Sequence, residues 1–249
     1  MLNHHSVEAL CRLHLPGMAD ALHKQLASPE SLGRSFEERL AQLIDAEQLS
    51  RDERKQLGLF KRAKLKYVQA CMEDVDYKAS RGLERSYIAS LASSEWVQRD
   101  QFLVLTGPTG VGKTWLACAF ANQAIRQGSP TLYKRFSLLM EELDVARRDG
   151  SLPKLRGQLA KVKLLVLDDW AMTPLSTAGR HELLELIEER SGRSSLLITS
   201  QLPMDKWHDY IGEPTIADAI LDRIVHRSHR IELTGGSMRR RQRLAAGGE

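Results

Sequence analysis

The chain has 249 residues, of which 42% are hydrophobic and 27% charged, enough for one medium domain with a small companion. Its net charge of +4 permits nucleic-acid binding without demonstrating it. The three cysteines, Cys11, Cys71 and Cys118, are isolated and lack CxxC spacing, which argues against a disulfide scaffold or a zinc site. No signal-peptide pattern opens the sequence, and no stretch reaches the roughly 18 apolar residues of a membrane span, so we expect a cytoplasmic protein without membrane contacts.

The first part of the chain has helical patterning and predicts a small all-α N-terminal domain, residues 1–65, that contacts partners or DNA. Pro16 and Gly17 separate two short helices. Ser35 and Glu38 form a capping box at the start of a longer helix, because each side chain can bond the backbone N–H of the other.

A basic run follows in the same region. Ser50 and Asp52 suggest a further helix start, and residues 51–66 contain seven basic residues against two acidic ones. Such a run is a candidate for DNA contacts, although an ordinary solvated helix face explains it equally well.

The remainder of the chain, residues 66–249, alternates short apolar runs with helical segments. Strands that alternate with helices favour right-handed βαβ crossovers and a parallel sheet covered on both faces. We therefore predict an α/β domain with a five-stranded parallel sheet between helices. The predicted strands are 101–107, 131–136, 163–169, 195–201 and 229–233.

A glycine-rich loop between the first strand and the following helix fits the pattern GxxxxGK[ST] in full. Its glycines let backbone N–H groups face inward, where they and the helix N-terminus bind phosphates. Lys113 would reach the β- and γ-phosphates of ATP, and the Thr114 hydroxyl would ligate Mg²⁺. The predicted ATP-binding residues are Gly107, Pro108, Thr109, Gly110, Val111, Gly112, Lys113 and Thr114.

Two carboxylates end the third predicted strand, at the edge where ligands bind in open α/β sheets. Asp168 would hold Mg²⁺ together with Thr114, and Asp169 would orient the attacking water or accept its proton. The fourth strand ends in Thr199 and Ser200, whose hydroxyls could sit between the acids and the γ-phosphate. The alternative for these hydroxyls is to cap the turn that follows the strand.

The phosphate loop, the paired acids and the polar strand tip together resemble the AAA+ ATPases. Over residues 60–240 the sequence more closely resembles the IstB proteins, helper ATPases of bacterial transposition that are similar to the DnaC helicase loaders and the DnaA initiator. The resemblance implies an AAA+ core, ATP and Mg²⁺ as cofactors, ATP sites between subunits of a homo-oligomer, and an adenine pocket near residues 77–83. The runs that carry it are RAKL (62–65), EDVDYKASRGLERSYI (73–88), TGPTGVGKTWLACA (106–119), LLVLDDW (164–170), TSQLPMDKWHDYIGEPTIADAILDRIVHRSHRIEL (199–233) and GGSMRR (235–240).

The resemblance also implies two arginine roles in ATP hydrolysis. Arg223 matches the arginine finger, which one subunit supplies to the ATP of its neighbour, where a guanidinium offsets charge developing on the γ-phosphoryl oxygens. From the residues alone, pairing of this arginine with Asp218 or Asp222 stays open. Arg239 matches the sensor II arginine, which contacts the γ-phosphate of its own subunit. It follows the fifth strand so closely that only a truncated C-terminal lid fits.

Two residues depart from the family pattern. Most AAA+ ATPases carry Glu where this chain has Asp169, whose shorter side chain puts the carboxylate further from the γ-phosphate. We therefore expect a slow ATPase that a partner stimulates. Ala171 stands where many IstB relatives have Gly, so we expect a stiffer turn there with little effect on function.

The helical stretch after the second strand is the predicted DNA-contacting region, since the resemblance to initiator-type AAA+ proteins implies a channel-lining helix there. Leu139, Leu143 and Ala146 form its apolar face, which leaves nearby cations for phosphate contacts that do not read sequence. Acidic neighbours balance these cations, so a solvated face is the alternative. The candidates are Lys134, Arg135, Arg147, Arg148, Lys154, Arg156 and Lys161.

Taken with the resemblance, the sequence predicts an ATP-dependent transposition helper that oligomerises on double-stranded target DNA, remodels it and recruits a cognate transposase. A helicase loader of the DnaC kind is the first alternative, and it would grip a replicative helicase and prefer single-stranded DNA. A monomeric small-molecule P-loop kinase is the second, and it predicts no role for Arg223.

Overall fold

The computed structural model describes residues 2–77 and 81–238. They fall into two compact units that divide between Gly58 and Leu59, inside one long helix. The functional division into residues 1–65 and 66–249 stays a prediction. Within the described ranges, no helix combines the length and apolar character that a bilayer crossing requires.

The secondary structure is helical up to residue 98 and alternates between strand and helix from residue 102 onward. The α-helices are α1 (Leu2–Arg12), α2 (Pro16–Ala27), α3 (Phe36–Ala63), α4 (Arg85–Ala92), α5 (Glu95–Gln98), α6 (Lys113–Arg126), α7 (Phe136–Asp149), α8 (Leu152–Ala160), α9 (Thr177–Arg190), α10 (Trp207–Ile211) and α11 (Pro214–His226). The strands are β1 (Phe102–Thr106), β2 (Thr131–Arg135), β3 (Leu164–Trp170), β4 (Ser195–Ser200) and β5 (Ser228–Glu232). Short 3₁₀ turns cover Pro29–Gly33, Met72–Asp74 and Met204–Lys206.

In the N-terminal unit, α2 packs closely on α3 because Gly17 has no side chain. A Cβ on Gly17 would lie 2.5 Å from the carbonyl oxygen of Ala46, closer than packed atoms approach. The carboxylate of Glu47 accepts the backbone N–H of Gly17 at 2.8 Å and that of Met18 at 3.2 Å. These are free donors at the start of α2, so Glu47 fixes where α2 begins against α3.

The two predicted short helices are present as α1 and α2, but Pro16 and Gly17 do not lie between them, because they are the first two residues of α2. The capping box at the start of α3 is formed in both directions: the Ser35 N–H donates to the Glu38 carboxylate at 2.9 Å, and the Glu38 N–H donates to Ser35 Oγ at 3.2 Å. The reciprocal pair satisfies donors that the first turn of a helix leaves free.

The helix start predicted at Ser50 and Asp52 is wrong, because α3 continues unbroken to Ala63. Ser50 lies against α2, where its Cβ is 2.8 Å from the position that a Cβ on Gly17 would occupy. Its small side chain therefore serves close helix packing and does not cap a helix.

The five strands form one parallel sheet in the order β2-β3-β4-β1-β5, which confirms the predicted α/β architecture. Successive side chains of a strand point to opposite faces, and β1 is apolar on both. Phe102 and Val104 join a hydrophobic cluster with α7, α9 and α11, whereas Leu103 and Leu105 join a cluster with α6. Helices therefore cover both faces of the sheet.

Because the strands are parallel, the sheet has two chemically different edges. We call the edge where the strands end the carboxyl edge, and the edge where they begin the amino edge. Phe102 and Ser228, the first residues of β1 and β5, are paired at the amino edge, and Thr106 and Glu232 are paired at the carboxyl edge. The five residues of β1 separate the two edges by about 13 Å.

Candidate active site

The loop of residues 107–112, at the carboxyl edge, has the backbone that a phosphate cradle needs. Gly107, Gly110 and Gly112 have φ angles of 140°, 82° and 98°, in the region that favours glycine. Close packing adds a second requirement, since a Cβ on Gly107 would lie 2.1 Å from the Leu233 carbonyl oxygen. The loop leads directly into α6, whose first N–H groups are free to bind an anion.

Lys113, the first residue of α6, is buried and folded onto the loop. Its Nζ donates to the carbonyl oxygens of Gly107 at 2.7 Å and Pro108 at 2.8 Å. Burial lowers the pKa of Lys113, and the carboxylates of Asp169 and Asp168 offset that effect only in part. A phosphate in the loop would favour the charged ammonium, so Lys113 is placed to exchange these carbonyls for phosphate oxygens.

Asp168, near the end of β3, is fully buried and accepts hydrogen bonds from three hydroxyls. Thr114 donates to Oδ1 at 2.8 Å, Thr199 donates to the same oxygen at 2.6 Å, and Tyr133 donates to Oδ2 at 2.6 Å. Burial, together with the bond to Asp168, raises the pKa of Tyr133, which keeps its phenol a donor. Neutral donors from α6, β4 and β2 thus satisfy one buried carboxylate.

Thr114 and Asp168 fit a magnesium ion. Proteins usually bind Mg²⁺ through one or two carboxylates together with substrate phosphates and water. The Thr114 Oγ1 and Asp168 Oδ1 atoms are 2.8 Å apart, close to the spacing of about 2.9 Å between adjacent ligands of an octahedral Mg²⁺ with bonds of about 2.0–2.1 Å. Within residues 2–77 and 81–238, no group of three or more His, Cys, Asp or Glu side chains could hold a metal. The other ligands would therefore be phosphate oxygens and water.

Asp169 lies next to Asp168 in a left-handed backbone conformation, with φ 61°, and lines the space in front of the loop. Its N–H donates to Thr199 Oγ1 at 3.0 Å, so Thr199 contacts the backbone of one acid and the carboxylate of the other. Arg135 approaches Asp169 from β2, with Nε 3.7 Å from Oδ2. This distance is too long for a hydrogen bond, which leaves the carboxylate oxygens accessible to a water molecule.

Ser200 has a different environment from Thr199. Its hydroxyl is fully buried, donates to the Trp170 carbonyl oxygen at 3.2 Å and accepts the Leu202 N–H at 3.0 Å. Both partners are backbone groups of the strand end and the turn that follows. The structure therefore favours the turn-capping alternative for Ser200 and places only Thr199 beside the acids.

These groups border an open cleft of about 730 Å³ in front of the loop, a size typical of ligand sites. Beyond the loop, its walls include Tyr67, Asp74, Asp76 and Trp115. The cleft therefore has room for a base and ribose next to the phosphates.

Arg81 is a cleft residue that the sequence reasoning did not single out. Its buried guanidinium donates to the carbonyl oxygens of Val111 at 3.3 Å and Asp76 at 2.6 Å. Its own carbonyl accepts the Thr234 N–H at 3.0 Å, so it ties the segment before α4 to the loop and to the chain after β5. The available signal was a basic residue beside Gly82, whose φ is 72°.

The chain after β5 returns to the phosphate loop. The Met238 N–H donates to the Gly110 carbonyl oxygen at 2.9 Å, and a Cβ on Gly110 would lie 2.5 Å from Ser237 Oγ. Arg239, the predicted sensor II residue, and the truncated lid lie outside the described residues. The residues that precede Arg239 nevertheless contact the loop directly.

Arg223 lies at the amino edge, away from the phosphate loop of its own chain. It is in the last turn of α11, one turn before Arg227, whose carbonyl accepts the N–H of Phe102 at the start of β1. Its Nη2 donates to Glu188 on α9 at 2.6 Å, and its Nη1 donates to the Ala219 carbonyl oxygen at 2.7 Å. The structure thus does not bring Arg223 together with the other predicted catalytic residues of the same chain.

Carboxylates engage four of the seven predicted DNA contacts. The pairs are Lys134–Glu142, Arg135–Asp169, Arg148–Asp144 and Arg156–Glu182. Arg147, Lys154 and Lys161 are exposed and have no ion-pair partner in the part of the chain that the structure describes. These three residues are the ones that remain available for phosphate contacts.

Comparison with known proteins places this site in a family. The family described as IstB-like ATP binding protein matches residues 8–246. The chain belongs to this family. An insertion sequence ATP-binding protein of Sinorhizobium fredii is 45% identical over 243 residues, which cover 98% of this chain and 99% of that protein. Another, of Pseudomonas fluorescens, is 48% identical over 203 residues, which cover 82% of this chain and 88% of that protein.

The fold is that of the AAA+ P-loop proteins. A crystal structure of the DnaC helicase loader matches with a TM-score of 0.54, covering 67% of this chain and 98% of that one. At 19% sequence identity, this likeness shows the fold alone. The predicted fold class and membership of the IstB-like ATP-binding family are therefore confirmed, and the roles of individual site residues stay predictions.

Proposed function

We propose that this IstB-like chain is an ATP-dependent helper of transposition that hydrolyses ATP and assembles as a homo-oligomer on double-stranded DNA. It would remodel the target duplex and recruit a cognate transposase. The insertion-sequence names of relatives at 45% and 48% identity support the transposition context. Hydrolysis would then reset the assembly.

The position of Arg223 is the observation that carries the proposal. It lies at the amino edge, whereas the phosphate loop of the same chain leaves β1 at the carboxyl edge, about 13 Å further along the strand. In addition, α11 packs on the face of the sheet opposite α6, and the Arg223 guanidinium is directed to Glu188 on α9 and not to the loop. If Arg223 acts on ATP, a second copy must supply it, and the ATP site is then complete only between subunits.

In the proposed assembly, the residues around the phosphate loop would bind the ATP to which the neighbouring subunit supplies Arg223. Lys113 would bind the β- and γ-phosphates, and Thr199 would keep Asp169 turned toward the attacking water, whose proton Asp169 accepts. Mg²⁺, held by Thr114 and Asp168, would neutralise phosphate charge. Arg223 from the neighbour would offset charge on the γ-phosphoryl oxygens, an effect worth roughly 10³–10⁵ in rate.

DNA contacts in this proposal come from cations that are not already paired. Arg147, Lys154 and Lys161 fit that requirement on the α7–α8 side. In the basic run at 51–66, the first two arginines already pair with Glu47, so the exposed basic residues after them are the further candidates, in line with a partner or DNA role for residues 1–65. Contacts to phosphates alone are tolerant of sequence and steeply dependent on salt. We therefore expect binding to duplex DNA of any sequence that weakens sharply as salt rises.

Sedimentation velocity tests the assembly. With duplex DNA, ATP and Mg²⁺ together, we expect a large homo-oligomer that disappears when the nucleotide is omitted. A chain that remains monomeric with all three components would contradict the proposal. A preference for single-stranded over duplex DNA in a filter-binding comparison would instead favour helicase loading.

A mixing experiment tests the shared ATP site. Arg223→Ala and Lys113→Ala should each lower ATP turnover by about 10³-fold or more. Mixed together they should regain part of it, because some interfaces then combine an intact Lys113 with an intact Arg223. Each variant alone is the control, and a monomeric kinase would show no recovery on mixing.

A further inference from the structure

Arg223 is held in place by a residue that lies outside the nucleotide cleft. Its Nη2 donates to Glu188 Oε1 at 2.6 Å, and its Nη1 donates to the Ala219 carbonyl oxygen at 2.7 Å. Glu188 lies in the last turn of α9, the helix that packs against α11. The two bonds therefore fix the guanidinium relative to both helices.

Arg223 pairs with Glu188 on α9, although two acidic residues lie nearer to it in sequence on its own helix, α11. The sequence left pairing with Asp218 or Asp222 open, and each of these carboxylates instead lies within 3.4 Å of a histidine ring nitrogen. The arginine is thus directed across the helix pair toward α9 and not along its own helix.

The guanidinium keeps donors for a second ligand. Arginine presents five N–H donors, and the described residues show hydrogen bonds from Nη1 and Nη2 only. The Arg223 side chain is 32% exposed. A phosphate oxygen brought by another subunit can therefore bind the remaining N–H groups while Glu188 and Ala219 keep theirs.

Fixing the side chain in advance has a kinetic consequence. A free arginine has many rotamers, and ordering it when the γ-phosphate arrives would oppose binding in the transition state. Donors that are already oriented avoid that cost. Because a carboxylate partly neutralises the guanidinium, the benefit of Glu188 lies in its hydrogen-bond acceptor and not in its charge.

We propose that Glu188 is a positioning residue for Arg223: it orients the guanidinium toward the ATP of the neighbouring subunit without touching that ATP. The inference rests on the proposed role of Arg223 across the subunit interface. Since the acceptor is what matters, Glu188→Gln should preserve the function, and Glu188→Ala should remove it.

ATP turnover by the DNA-bound assembly measures the effect. Glu188→Ala should lower kcat by about 10-fold, whereas Glu188→Gln should stay within about threefold of the parent chain. KM for ATP should change little in either, because Glu188 does not touch ATP and the oriented guanidinium acts on charge that develops only in the transition state. Glu189→Ala, which removes the next carboxylate on the same helix, is the matched control and should leave kcat unchanged.

Two further measurements separate positioning from a structural role. The double variant Glu188→Ala/Arg223→Ala should turn over ATP no more slowly than Arg223→Ala alone, because both changes disable one guanidinium. Mixing Glu188→Ala with Lys113→Ala should raise turnover above that of either variant. In such mixtures the Lys113→Ala chain supplies an intact Glu188–Arg223 pair to an intact ATP site on its neighbour.

The outcomes distinguish this inference from the proposal on which it rests. Unchanged kcat in Glu188→Ala, alongside a large loss in Arg223→Ala, would overturn the positioning role and leave the shared ATP site standing. Additive losses in the double variant, or no recovery on mixing, would overturn it as well. If Arg223→Ala itself hydrolyses ATP normally, the proposed function and the inference both fail.

Discussion

The two edges of the sheet each contain a buried charge, and they satisfy it in different ways. At the carboxyl edge, Asp168 accepts its hydrogen bonds from side-chain hydroxyls of three different elements. At the amino edge, Arg190 is 1% exposed, and among the described residues its Nη1 and Nη2 atoms donate to backbone carbonyls while its Nε has no partner. The carbonyl partners of Arg190 are those of Leu159, Val162, Lys163 and Ser195.

The hydrogen bonds of Asp168 can be exchanged for others, whereas those of Arg190 cannot. Hydroxyls rotate, so Thr114 can leave Asp168 for a metal ion without moving the backbone. The carbonyls around Arg190 belong to the end of α8 and the starts of β3 and β4, and they are fixed by the sheet. Burial lowers the pKa of Arg190 to about 10, yet the guanidinium stays charged at neutral pH. Substitutions of the hydroxyls that bind Asp168 should therefore change chemistry, and substitution of Arg190 should change stability.

The largest effect is expected for Arg190→Ala, which should lower the free energy of unfolding by about 3–5 kcal/mol. The substitution leaves buried carbonyls without donors and opens a cavity at the point where two strands begin. Urea unfolding followed by circular dichroism measures the change. Arg193→Ala, which removes an exposed arginine from the nearby turn, should stay within about 0.5 kcal/mol of the parent chain. A similarly small effect at Arg190 would mean that water replaces the guanidinium and that the two edges do not differ in this way.

The same contrast explains what the sequence could predict. Lys113, Thr114 and Asp168 lie in motifs whose residues are close together along the chain, so their pattern is visible without a structure. Arg190 is simply the last residue of α9, and its partners come from segments that meet only in the folded sheet. Tyr133 and Arg81 were missed for the same reason, since long-range packing alone brings them to the site.

The fold was predictable because each strand carries its own apolar pattern and each connection its own helix. Strand order and the partner of Arg223 depend on packing between distant elements, which periodicity does not report. The same limit applied at the end of β4. Adjacent strand residues point to opposite faces, so the sequence offered Thr199 and Ser200 as equals, and only the register beside β3 decides which one faces Asp168.

Substitution of these two hydroxyls sharpens the comparison within the carboxyl edge. Thr199→Val keeps the branched shape but removes the donor to Asp168 and the acceptor for the Asp169 N–H. We expect ATP turnover, measured with duplex DNA present, to fall about 10- to 100-fold. Ser200→Ala removes only bonds to backbone groups, so turnover should stay within about twofold while the free energy of unfolding falls by about 1–2 kcal/mol.

Turnover and urea unfolding, measured on both variants, separate the two roles. Thr199→Val should mainly lower ATP turnover, and Ser200→Ala should mainly lower the free energy of unfolding. A larger loss of turnover in Ser200→Ala than in Thr199→Val would reverse the assignment made from their hydrogen bonds.

The smallest effect is expected just beyond β3, at Ala171, whose φ of 64° lies in the left-handed region. This conformation costs a residue with a side chain roughly 1–2 kcal/mol, whereas glycine adopts it freely and loses about 0.5–1 kcal/mol through its more flexible unfolded chain. Ala171→Gly should therefore raise the free energy of unfolding by about 0.5–1 kcal/mol, with ATP turnover unchanged.

Ala89→Gly, in the middle of α4 and exposed, is the matched control and should lower the free energy of unfolding by about 1 kcal/mol. The same substitution is thus expected to act with opposite signs at two positions, because the backbone of Ala171 is left-handed and that of Ala89 is helical. Ala171 is partly buried and packs against the cluster that contains Trp170. If Ala171→Gly also destabilises the chain, the packing of the Ala171 methyl group outweighs the backbone strain. Side-chain packing would then determine the stability of the turn after the paired acids.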